Sequence, residues 1–172
     1  MPGTHPEAPV VARAADAERL VFPDGSTMTL LADSHATGGR LSMHHTLLRD
    51  GADGASPHHH TTVAELFYVL RGTVQVLVGD ELVEAGEGDL VVVPPGVAHA
   101  FAAAPGGDAE LLLAVTPGIE RFDLFRRFER IVAGREPAGT LFADQSEYDT
   151  YPDISDIWEQ ARHVAPTTRR DP

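Results

Sequence analysis

Between Leu20 and Thr116 the chain is a series of short apolar runs, each broken by turn chemistry. The breaks fall at Pro23-Asp24-Gly25, Gly38-Gly39, Asp50-Gly51, Gly79-Asp80, Gly86 to Asp89, Pro94-Pro95-Gly96 and Pro105 to Asp108. Gly and Asp close tight turns and Pro presets one turn angle, so regular short runs between such clusters read as antiparallel strands. Eight strands are predicted: Thr27 to Ala32, Arg40 to Leu48, Glu65 to Arg71, Thr73 to Val78, Glu81 to Glu84, Asp89 to Val93, His99 to Ala104 and Ala109 to Thr116. That number suits an all-β jelly-roll barrel, one of the ways an antiparallel sheet manages its exposed edges.

The flanks differ from this centre. Residues 1–19 form a loose N-terminal arm rich in Pro and Ala, in which Val10 and Val11 could add an edge strand. Residues 20–117 make the barrel. Residues 118–165 read as a helical extension: Phe122, Phe125, Phe128 and Ile131 recur at helical spacing within Ile119 to Ala133. This helix covers an apolar edge of the barrel, and a sharper reading has it lid the open mouth and lend Phe122 or Phe125 to a pocket. A shorter helix is predicted over Ser155 to His163, with Ser155 as its cap and Ile154, Ile157, Trp158 and Ala161 packing inward. Residues 166–172 read as a disordered tail. The 172 residues carry no internal repeat, so one barrel is expected, not two.

Charge and cysteine content exclude several functions. Thirteen basic residues face 26 acidic ones, and a net charge of -13 repels the nucleic-acid backbone. With no cysteine there is no disulfide framework and no thiolate ligand, so nitrogen and oxygen must hold any metal. No run of about 18 apolar residues reads as a membrane span, and the N-terminus lacks a signal-peptide pattern. A cytoplasmic protein without membrane or nucleic-acid partners is the expectation.

Four residues point to metal chemistry. His58 and His60 stand two apart, and in extended backbone such residues share a face, about 6 to 7 Å apart along the chain. Glu65 opens the apolar strand that follows. His99 is delivered at a strand start, just after the turn at Pro94-Pro95-Gly96.

These residues resemble the two motifs of the cupins. The first pairs His-x-His with a Glu and a later Gly, matched by His58, His60, Glu65 and Gly72. The second runs from Gly through Pro-x-Gly to His, matched by Gly88, Pro94, Gly96 and His99. Ala103 stands where the family carries an Asn, and the opening Gly of the first motif is displaced to Gly51 or Gly54. The resemblance implies a cupin jelly roll holding one divalent transition metal on His58, His60, Glu65 and His99. Three imidazoles and one carboxylate admit Fe, Mn, Ni, Cu, Co or Zn.

Strand parity sets Phe67 and Val69 on the face of Glu65, and Phe101 and Ala103 on that of His99. These four are the expected substrate pocket, apolar and suited to an aromatic small molecule. The paired His44 and His45 sit mid-strand, one facing in and one out, and a structural or surface role is favoured over a proton shuttle. Pro57 to Gly72 is similar to the corresponding segment of quercetin 2,3-dioxygenase-like proteins. That resemblance implies a metal-dependent dioxygenase acting on a flavonol or another enolisable aromatic, with Glu65 as ligand and catalytic base. The alternatives are a polyketide cyclase or isomerase that needs no oxygen, and a non-catalytic small-molecule binding barrel. The outward face of Leu66, Tyr68 and Leu70 suggests a homodimer.

Overall fold

The computed structural model describes residues 9–143 and 145–163. The tail at 166–172 lies outside the described residues. Ten strands occur among them: β1 (Glu18–Val21), β2 (Thr27–Ala32), β3 (Ser42–Leu48), β4 (Asp53–His59), β5 (Ala64–Val78), β6 (Glu81–Gly86), β7 (Leu90–Val93), β8 (His99–Ala103), β9 (Ala109–Thr116) and β10 (Tyr151–Pro152). Three α-helices follow the barrel or flank β10: α1 (Phe122–Val132), α2 (Gly139–Ala143) and α3 (Asp156–His163).

The strands pair antiparallel in the order β1-β2-β3-β9-β5-β8-β4-β10, with β6 and β7 also on β5. This is a jelly roll, and β5 is its pivot. Its first half lies between β7 and β9, and its second half lies between β6 and β8, so one strand serves both sheets. The sequence divided this stretch at Gly72 into two strands. The structure joins them, because Gly72 takes a φ of 78° that bends the chain without ending the ladder. A side chain there would meet the carbonyl oxygen of Asp108 at 2.1 Å.

Three strands escaped the sequence pattern. The short β1 lies partly in what reads as the loose arm, β4 is polar, and β10 is only two residues long. Val10 and Val11 are exposed and belong to no strand.

Phe67, Val69, Val74, Val76, Leu111 and Leu113 fill the barrel, each at most 1% exposed. Burying a side chain of this kind contributes about 1.5–3 kcal/mol. Alternation along β9, with Ala109, Leu111, Leu113 and Val115 inward, sets the register against β3 and β5.

The extension packs on two sides. On one, Phe125 of α1 joins Leu20, Met28 and Leu30 of β1 and β2, with Phe22 and Phe122 against them. On the other, Trp158 of α3 covers Leu77, Ala100 and Ala102. Arg162, one turn after Trp158, stacks on its ring and bonds Asp53, Gln75 and the carbonyls of Gly51 and Ala103. Ser155 caps this helix as expected, its Oγ accepting the Trp158 N–H at 3.3 Å. Ile154 and Ile157 are exposed, contrary to expectation, because this two-turn helix meets the sheet through Trp158 and Arg162. No helix among the described residues is long and apolar enough to cross a membrane.

Candidate metal centre

His58 ends the regular part of β4, and its register partner His99 opens β8, so one sheet carries both. Glu65 stands on β5 between Val93 and Val115, in the other sheet. His60 follows β4, where its carbonyl accepts the Gly96 N–H at 2.7 Å. All four side chains are buried, and their ligand atoms lie within 4.8 Å of one another. His59, between two of them, points away, pairing with Asp153 at 2.7 Å and stacking on Tyr151.

The hydrogen bonds of the rings orient their lone pairs. His58 Nδ1 faces the carbonyl of Ser56 at 2.8 Å, His60 Nδ1 that of Asp149 at 2.6 Å, and His99 Nδ1 that of Val97 at 2.9 Å. A carbonyl only accepts, so the network assigns each ring proton to Nδ1 and leaves Nε2 with a lone pair when the ring is neutral. Those three nitrogens converge on Glu65 Oε2 at 3.8, 3.2 and 2.9 Å. Lone pairs and a carboxylate at such distances repel unless a cation lies among them. Burial, then the neighbouring His99 ring, pushes His58 down to about 4, so its ring is neutral at physiological pH. The donor set fits a divalent transition metal, with outer hydrogen bonds of the kind that orient ligating histidines.

Glu65 also has a partner that the sequence did not suggest. Burial would raise its pKa, but the adjacent Arg121 charge holds it well below the carboxylate range. Arg121 Nη1 reaches Oε1 at 3.1 Å, leaving Oε2 for the ion. The arginine is placed by Asp33, whose carboxylate accepts the backbone N–H groups of Arg121 at 3.0 Å and Phe122 at 2.9 Å and so caps α1 from a distant loop. One signal could have found Arg121. Continuing the helical stripe of Leu124, Phe125 and Phe128 back by one turn lands on it.

A cavity of about 280 Å³ opens beside His58 and Glu65. Met28, His44, Gly54, Ala55, Phe101, Leu113, Arg121, Leu124, Phe125 and Phe128 are among its walls. Of the four pocket residues read from parity, only Phe101 lines it. Phe67, Val69 and Ala103 do point inward, but they pack into the solid part of the barrel, no more than 1% exposed. Parity fixes a face, not a depth, and the open space lies at the mouth, where α1 supplies Phe125 and Phe128. Phe122 packs with the β1–β2 cluster instead.

His44 faces the cavity, its ring 4.6 Å from that of Phe125, and His45 faces out to Glu110 at 2.8 Å. Burial, then the Arg121 charge, pushes His44 down to about 3, so it presents a neutral ring.

Comparison with known proteins agrees with this architecture. Residues 44–115 match the family model described as the Cupin domain. Solved structures with a similar fold include KdgF from Halomonas sp., at TM-score 0.54 and 20% identity over 64% of this chain and 94% of that one. A Streptomyces nucleoside dehydratase with uridine aligns at TM-score 0.52 and 20% identity, covering 68% and 88%. A cupin-superfamily sugar phosphate isomerase from Silicibacter pomeroyi aligns at TM-score 0.53 and 20% identity, covering 62% and 75%. At these identities the likeness establishes the fold. No curated protein matches.

Proposed function

This chain carries a cupin domain, and from that premise we propose that it is a divalent-metal enzyme acting on an enolisable, aromatic small molecule, with dioxygenation as the leading reaction. The observation that carries this reading is the convergence of three Nδ1-anchored histidines and Glu65 on one point at the wall of an apolar cavity. When bound there, the ion would supply a Lewis acid with coordination positions left over for ligands from outside the protein.

The chain's own residues divide the remaining work. His58, His60, Glu65 and His99 hold the ion. Phe101, Leu113, Phe125 and Phe128 exclude water from the space beside it. Glu65, clamped by Arg121 and held ionised, serves as a ligand in this reading; a carboxylate so far below its ordinary range is a weak proton acceptor.

Non-oxidative chemistry, as in a cyclase or isomerase, is the second reading. Arg121 favours it, because a fixed cation beside the ion would stabilise an enolate without any oxidant. The dehydratase and isomerase names among the structural neighbours are compatible with it. Metal content after purification without added metal, followed by oxygen uptake on flavonols and phenolic polyketides, tests the proposal. Turnover with oxygen consumption supports the dioxygenase, and equal turnover under anaerobic conditions moves the protein to the second reading. A protein that binds no transition metal refutes both.

We also infer that two copies associate through the outer face of β5 and β7. Tyr68, Leu70, Leu90 and Val92 leave apolar surface in solvent there.

A further inference from the structure

The cavity beside the metal ligands contains a buried donor with nothing to bond. Arg121 is 6% exposed, and its Nε–H faces no acceptor although its Nη1 is paired with Glu65. An orphaned buried donor is costly, and a guanidinium cannot give up its proton to escape that cost. Nor is the side chain free to turn away. Its backbone is held by Asp33, and its guanidinium lies over the Phe125 ring, 5.2 Å from the centroid.

Charge points the same way. With a divalent ion on the four donors, Glu65 is the one carboxylate among the described residues that meets both Arg121 and the ion, since Asp33 is spent on the backbone N–H groups at the start of α1. Asp53, another acidic residue of the lining, is already paired with Arg162 at 2.8 Å. A net positive charge in a mostly apolar wall favours an anionic ligand. At about 280 Å³ the space lies at the small end of ligand pockets.

We propose that Arg121 anchors an anionic oxygen of the substrate, a carboxylate, phenolate or enolate, carried on a one- or two-ring apolar body that lies against Phe101, Leu113, Phe125 and Phe128. This rests on the reading of the site as a metal-dependent enzyme for small molecules and names the ligand class it takes. The Nε–H donates to the oxygen while Nη1 keeps its hold on Glu65, so one guanidinium joins the substrate to the metal ligand.

The test compares 2-naphthoate with its neutral amide, 2-naphthamide, by isothermal calorimetry on zinc-loaded and on chelator-treated protein. Zinc-loaded protein should bind the carboxylate at least about tenfold more tightly, the factor a charge-assisted hydrogen bond supplies. Without zinc the preference should shrink but persist. Arg121→Met should erase it in the chelator-treated form and reduce it in the zinc-loaded form, and Arg121→Lys should keep part of it. Equal affinities in the unaltered protein, binding of neither probe, or a preference that survives Arg121→Met undiminished in the zinc-free form each overturn the proposal. Should Arg121→Met not fold, the unaltered protein and Arg121→Lys decide: no loss of preference in the lysine variant, which has no Nε–H fork, also overturns it. Zinc binding is measured in the same series. A protein that takes no zinc yet prefers 2-naphthoate sinks the metal reading and leaves the role of Arg121 standing.

Discussion

The substitution Asp149→Ala tests how far the metal centre depends on the chain beyond the barrel. Asp149 joins the extension to the ligand loop twice. Its carboxylate accepts the N–H groups of Thr61 at 2.9 Å and Thr62 at 2.8 Å and their hydroxyls at 2.5 and 2.6 Å. Its carbonyl accepts the Nδ1–H of His60 at 2.6 Å. Alanine removes the first four bonds and leaves the fifth without its anchor. Hydrogen bonds of this kind contribute about 0.5–1.5 kcal/mol each, and the exposed setting discounts them, so about 2 kcal/mol is at stake. Alanine must also adopt the residue's φ of 48°, at a cost of about 1 kcal/mol. Asp149→Gly separates the two contributions, since glycine meets no such cost. If the clamp serves to orient His60, zinc affinity should fall about 10–100-fold in both variants, the usual penalty for losing an outer partner of a ligating histidine. Competition titration against a chromogenic chelator measures it. Zinc affinity within threefold of the unaltered protein in Asp149→Ala would refute the reasoning, whatever the change in melting temperature.

Acidity should act first through histidines. His44 and His58 are pushed below the ordinary 6.5, to about 3 and about 4, both mainly by burial. The unfolded chain therefore binds more protons than the folded one between those values and 6.5, and the metal-free protein should lose stability as pH falls through that window. A melting temperature in chelator that stays flat from pH 7 to 4.5 would contradict this. Asp149, held low by Thr61 and Thr62 against the opposing effect of burial, should keep its clamp until pH drops below the ordinary carboxylate value. Glu65→Gln should lower zinc affinity at least about 100-fold, since it removes the one anionic ligand and leaves Arg121 facing the ion. A variant with full metal content and no turnover would instead restore Glu65 as the base. For association, light scattering should report a dimer, and Tyr68→Glu with Leu90→Lys should yield monomers with unchanged zinc binding; monomers before substitution would dismiss that surface.

The turn-broken cadence from Leu20 to Thr116 was enough to specify the barrel, because each Gly, Pro and Asp cluster ends a strand by local chemistry and β2 and β9 begin and end where that chemistry places them. The cluster of four candidate ligands was legible for the same kind of reason. The spacing of His58 to His60 is a local statement about one face of extended backbone, and the Pro-x-Gly turn before His99 is equally local. Alternation likewise required that one of His44 and His45 face in and the other out, and the structure turns His44 inward.

What the sequence could not supply was anything that depends on depth or on partners from distant parts of the chain. Phe67, Val69 and Ala103 share a face with the ligands yet lie in the filled interior, a matter decided by how the two sheets close. β4 carries Ser, Pro and two histidines, so its strand character comes from pairing with β8 and β10 and not from its own pattern. Arg121 meets Glu65 across 56 residues, Asp33 meets the start of α1 across 88, and Asp149 meets Thr61 across 88. Residue chemistry and local period thus determined the barrel and the four candidate metal ligands. Only the folding of the extension back over the barrel mouth decided what holds those ligands in place and gave the apolar pocket its buried cation, because such contacts arise from tertiary packing and leave no period in the sequence.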